Sequence, residues 1–113
     1  MSNSVFAQER INTYDIDLRI DTDGTFAVRE TIVYDFGSES RHGIIRGLVT
    51  DMTNKDGVQY RARMDTITVK DPSGIPYTVS TSRVGDSIEV KIGDPDVTVT
   101  GEKTYVLEYV VAG

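Results

Sequence analysis

Apolar and polar side chains alternate with a period of two in segment after segment of this chain, and no stretch carries a helical stripe. A chain patterned in this way is confined to β-strands with one face buried. Tyr14, Ile16, Leu18 and Ile20 fall on even positions, with Asp15, Asp17 and Arg19 between them. Asp21-Thr22-Asp23-Gly24 follows as a turn signal, with Gly24 supplying the positive φ of a tight hairpin. Phe26, Val28, Ile32, Tyr34 and Phe36 return on even positions, which predicts a long hairpin with one buried face.

Further strands are expected beyond the polar loop at 37–43. Ile44-Ile45-Arg46-Gly47-Leu48-Val49 is a short apolar run, and Asn54-Lys55-Asp56-Gly57 a turn. Val58, Tyr60, Ala62 and Met64 then alternate as one strand before the phase slips to Ile67 and Val69. A slip of that kind fits a β-bulge, or a strand bending from one sheet to another. Asp71-Pro72-Ser73-Gly74 turns the chain into Ile75, Tyr77 and Val79, and 80–87 reads as a polar turn region. Ile88, Val90 and Ile92 form the next strand, Val97 and Val99 another, and Tyr105, Leu107, Tyr109 and Val111 the last. The fold class predicted is all-β, an antiparallel β-sandwich of immunoglobulin-like architecture with about seven to nine strands; a closed barrel is the rival arrangement.

A chain of 113 residues is one domain's worth, and residues 10–113 are assigned to the sandwich. Residues 1–9 are read as a flexible N-terminal segment, in which Val5-Phe6-Ala7-Gln8 resembles the stub around a signal-peptide cleavage site. No apolar run approaches the length of a membrane span. The absence of cysteine excludes a disulfide scaffold, a thiolate metal site and a cysteine nucleophile. The single histidine, His42, reads as a surface residue and leaves little for a histidine metal site or a catalytic triad. A formal charge of −6 argues against nucleic acid as a partner. That charge is divided: eight acids face three arginines over residues 1–40, seven bases face four acids over 41–83, and six acids face two lysines over 84–113.

Glu30 breaks the alternation most, standing mid-strand on the face of Val28 and Ile32. An unpaired buried carboxylate costs several kcal/mol, so it needs a cation, a proton or the rim. Arg46, the one charge between Gly43 and Val49, is the candidate partner, and a structural ion pair is expected to pin the 37–49 segment to the first hairpin. The alternatives are side chains that snorkel at a sheet edge, or Glu30 as a general acid, for which no second catalytic group is evident. Arg61, Arg63 and Lys55 form a candidate interaction surface for an unknown protein or envelope component, set against plain cross-strand pairing with acids. Asp86, Asp94 and Asp96 are a candidate calcium cluster at one end of the sandwich, set against ordinary turn chemistry. Tyr105, which follows Gly101-Glu102-Lys103-Thr104, is a candidate structural tyrosine of the corner type. No catalytic residue and no cofactor is assigned.

Three segments together resemble a known family. They are the hairpin 14–36, the run His42-Gly43-Ile44-Ile45-Arg46-Gly47-Leu48-Val49, and the series Ile92-Gly93-Asp94, Thr100-Gly101, Thr104-Tyr105 and Tyr109. The chain resembles the predicted bacterial membrane proteins grouped as domain of unknown function 2207, from about residue 10 to the C-terminus. The resemblance implies an exported β-domain outside the cytoplasmic membrane, attached in the whole protein to transmembrane segments further along. It brings no established activity. The function expected is therefore a non-enzymatic extracytoplasmic interaction or structural module, with a ligand- or calcium-binding module on acidic loops as the alternative.

Overall fold

The computed structural model describes residues 9–53 and 55–112, and every regular element in them is a strand. These are β1 (Arg10–Ile20), β2 (Phe26–Asp35), β3 (Ile44–Val49), β4 (Asp51–Thr53), β5 (Gln59–Arg61), β6 (Arg63–Lys70), β7 (Val79–Val84), β8 (Ser87–Ile92) and β9 (Glu102–Ala112). A four-stranded antiparallel sheet of order β1-β2-β9-β6 faces a three-stranded sheet of order β3-β8-β7, and β4 and β5 form a separate hairpin. Val28 and Ile32 of β2, Val69 of β6, and Tyr105, Leu107 and Tyr109 of β9 meet Leu48, Val90 and Ile92 from the second layer, with Phe36 closing one end. The expected two-layer sandwich is present and the sheets do not join into a barrel. Its strand order departs from the immunoglobulin one. In immunoglobulin domains the seventh long strand lies in the three-stranded sheet; here the last strand, β9, sits inside the four-stranded sheet between β2 and β6.

The first hairpin forms as expected, in the register Tyr14↔Ile32 to Ile20↔Phe26. Its turn is closed by Asp21 accepting from the Gly24 amide at 3.0 Å, with Gly24 at φ 87°. The burial expected of β1 does not follow. Directly opposed residues share a face, so Tyr14, Ile16, Leu18 and Ile20 do point to the side of Val28 and Ile32. They are nevertheless 44, 57, 60 and 68% exposed, increasing along the strand. A four-stranded layer is one strand wider than the layer facing it.

Other boundaries shift for local reasons. The strand expected across 58–64 breaks at Ala62, whose amide donates to the Thr50 carbonyl at 2.9 Å, so β5 pairs with β4 and β6 with β9. The phase slip is a bulge between Asp65 and Thr68, with Thr66 at φ 58°. The polar stretch 80–87 holds most of β7, an edge strand with mainly exposed side chains, where alternation has nothing to record. Val97 and Val99 form no strand; Val99 makes only an isolated bridge to Arg41. The N-terminal segment expected at 1–9 lies outside the described residues except for Glu9, whose carboxylate accepts from Arg41 Nη2 at 3.0 Å.

Two glycines fix how β3 and β8 meet at one end of the three-stranded sheet. Gly43, entering β3, and Gly93, leaving β8, lie back to back with φ of 149° and 133°. A Cβ on Gly43 would stand 2.8 Å from the Ile92 carbonyl carbon, and one on Gly93 2.8 Å from that of His42. Only glycine lets these two backbones approach so closely.

Candidate functional site

Glu30 is 1% exposed in the middle of β2, among Val28, Ile32 and Leu107. Arg46 reaches it from β3 in the opposite layer. Its Nε donates to Glu30 Oε1 at 2.9 Å and its Nη2 to Oε2 at 3.1 Å, a two-point contact of guanidinium with carboxylate. The Tyr109 hydroxyl, from β9, donates a short hydrogen bond to Oε2. Arg46 also donates to the Tyr14 hydroxyl at 2.8 Å and to the Gly47 carbonyl, and its guanidinium lies 5.8 Å from the centre of the Tyr14 ring. Side chains from β3 and β9 thus meet on one carboxylate of β2, and β1 joins the network through Arg46. Burial works against the Arg46 charge, but the hydrogen bonds and charge of Glu30, helped by Tyr14, hold the guanidinium above its ordinary pKa. Burial, then the bond to Glu30 and its charge, push the Tyr109 hydroxyl well above the usual tyrosine range, so it stays protonated as a donor. Both oxygens of Glu30 are engaged from within the protein, which leaves no free face for a reacting group.

The other sequence-selected residues are dispersed. Arg61 pairs across the β4–β5 hairpin with Asp51, Nε to Oδ1 at 3.0 Å and Nη2 to Oδ2 at 2.7 Å. Arg63 lies 3.4 Å from Asp65, and Lys55 lies in the hairpin turn. The two arginines sit on different strands of different sheets and do not form one basic face. Asp51 also accepts from the buried Thr50 hydroxyl at 2.9 Å, while Arg83 donates to Thr50 Oγ1 at 3.0 Å. This small hub was not read from the sequence: counting outward from the turn at 54–57 sets Asp51 opposite Tyr60, and the observed register, one residue further, sets it opposite Arg61. Hydrogen bonds from Arg61 and then Thr50 hold the Asp51 carboxyl below its usual 3.8. Its contribution to stability is therefore complete above pH 3.8 and is lost as the pH falls through the lowered folded value. Asp51→Asn is expected to flatten the acid side of a melting-temperature profile taken from neutral pH downward.

The calcium cluster is not assembled. Asp86 precedes β8 and Asp94 and Asp96 follow it, with about 25 Å of extended chain between them. Asp94 accepts from the Asp96 amide at 2.8 Å, which is turn chemistry. Among the described residues no three His, Asp or Glu side chains are placed to share a metal. Tyr105 is fully buried, with its ring 4.7 Å from that of Tyr77, and burial pushes its hydroxyl up to about 12. The hydroxyl-to-backbone bond at this corner belongs to Tyr77, which donates to the Thr104 carbonyl at 3.0 Å. His42 is exposed, its Nδ1 3.0 Å from the Val97 carbonyl. An open cleft of about 500 Å³ on the outer face of the four-stranded sheet is lined by Asp17, Arg29, Thr66, Thr68 and Glu108. Its central pair is Arg29 with Glu108 at 3.5 Å.

The family model described as the predicted membrane protein (DUF2207) N-terminal domain matches residues 10–113. The chain belongs to the DUF2207 N-terminal domain family. No curated protein and no solved structure matches it significantly. This DUF2207 domain is accordingly part of a membrane protein by family, and no helix among its described residues is long and apolar enough to cross a membrane. The glycines at 43 and 93, the Glu30–Arg46 contact and the buried Tyr105 and Tyr109 all lie within the matched span.

Proposed function

We propose that this domain is a non-enzymatic interaction or structural module carried on the extracytoplasmic side of a bacterial membrane protein. The observation that supports this reading is the state of the one deeply buried carboxylate among the described residues. Glu30 accepts from Arg46 at two points and from Tyr109, so its chemistry is spent in joining two sheets rather than turned toward a cleft. A general acid or base needs a hydrogen-bonding position open to substrate. The outer-face cleft opens on the opposite side of the four-stranded sheet from Glu30 and presents paired charges and threonine hydroxyls.

The sidedness is directly testable: these 113 residues contain no cysteine, and any cysteine elsewhere in the whole protein is first replaced by serine. Ser40 is exposed in the loop between β2 and β3. In intact cells making the whole membrane protein, a Ser40→Cys variant is expected to react with a membrane-impermeant maleimide before lysis. Labelling only after the membrane is opened would place the domain in the cytoplasm and overturn the proposal.

A further inference from the structure

The edges of the four-stranded sheet are treated differently. At β6 the bulge with Thr66 at φ 58° interrupts the ladder, and Pro76 bridges to Lys70 while the Tyr77 amide donates to Val69. These are protections against pairing with another chain. The edge at β1 has none of them beyond its start. Its one register shift lies between Ile11 and Thr13. From Thr13 to Ile20 it runs without proline, lysine or an inward-pointing charge, with four exposed apolar side chains on one face. A long edge of this kind is a template for a further strand.

We infer that β1 pairs antiparallel with β1 of a second copy of this chain, joining two four-stranded sheets into one of eight across a two-fold axis at Asp17. The charge pattern selects both the partner and the register. With Asp17 on the axis, Tyr14 stands opposite the partner's Ile20, and Ile16 opposite the partner's Leu18, so all four apolar side chains of each copy meet apolar ones. On the other face Asp15 stands opposite the partner's Arg19, twice by symmetry. The like charges at the axis are each flanked within their own sheet by Arg29, which lies directly opposite Asp17. A shift of two residues one way sets Asp15 against Asp21, and the other way sets it against Asp17. An odd shift turns the apolar row against the charged one. The contact is a single strand edge, suited to weak association, and confinement of both copies in one membrane raises their effective concentration.

Sedimentation equilibrium of the 113-residue chain over a ~100-fold concentration range tests this. The wild type is expected to form dimers. Asp15→Arg alone and Arg19→Asp alone each set like charges opposite one another twice and are expected to weaken the dimer about tenfold. The double exchange Asp15→Arg/Arg19→Asp restores it, and Asp17→Asn tightens it by removing the repulsion at the axis. A separate readout does not depend on the charge variants: Asp17→Cys is expected to cross-link two copies under mild oxidation, and Thr22→Cys not to. A chain that stays monomeric throughout, or a dimer indifferent to Asp15→Arg and not cross-linked through position 17, would overturn the inference; β1 would then be left for a strand of another protein.

Discussion

Arg46→Met is expected to destabilise the domain by about 3–5 kcal/mol at neutral pH, because it leaves the Glu30 carboxylate buried with no cation beside it. Glu30→Gln is expected to cost less, about 2–3 kcal/mol, since Arg46 is partly exposed and can turn its charge toward water. Urea midpoints at neutral pH read both effects. Replacing the whole network with apolar groups, as Glu30→Leu/Arg46→Met/Tyr109→Phe, removes the desolvated charges together with the hydroxyl that would be orphaned. It is expected to return to within about 1–2 kcal/mol of the wild type.

Gly43→Ala and Gly93→Ala are expected to be at least as damaging. Each places a methyl group against a main-chain carbonyl, Ile92 for Gly43 and His42 for Gly93, and backbone cannot give way as a flexible side chain would; Ile92 is moreover held by ladders to both β3 and β7. Both positions also combine the clash with a backbone conformation that L-residues rarely adopt. A loss above about 4 kcal/mol is expected for either, a large fraction of the 5–15 kcal/mol that holds a domain of this size together. Two other glycines separate the causes. Gly24, at φ 87° with open space around it, isolates the conformational cost, and Gly24→Ala is expected to lose about 1–2 kcal/mol. Gly47 has neither a positive φ nor a neighbour within reach, so Gly47→Ala is expected to be neutral or slightly stabilising. Thermal melts of the four variants rank these cases directly.

What could be read from the sequence followed the local rules of strands. The β1–β2 hairpin, the bulge near Asp65 and the buried face of β9 came from alternation and turn residues alone. Glu30 stood out because it violated that alternation, and Arg46 because it was the lone charge in an apolar run; the structure brings the two within 2.9 Å. Properties of strand order were out of reach. Nothing in the spacing of Tyr109 says that β9 flanks β2, and nothing in that of Tyr14 says that Arg46 of β3 reaches it from the other layer, so their hydroxyls were not assigned to the same network. The exposure of β1 likewise depends on the widths of two sheets rather than on the strand's own pattern, which reads as a buried face. Asp86 and Asp94 looked close because they are near in sequence, yet an intervening strand carries them apart.

The claim on which the rest depends is that Glu30 and Arg46 act as one clamp between the two layers. A double-mutant cycle in urea with Glu30→Gln, Arg46→Met and the combined variant measures it. A coupling free energy of about 2 kcal/mol or more is predicted, with the double variant less damaged than the sum of the singles. Strictly additive losses would show that the two residues do not act on each other and would contradict the account.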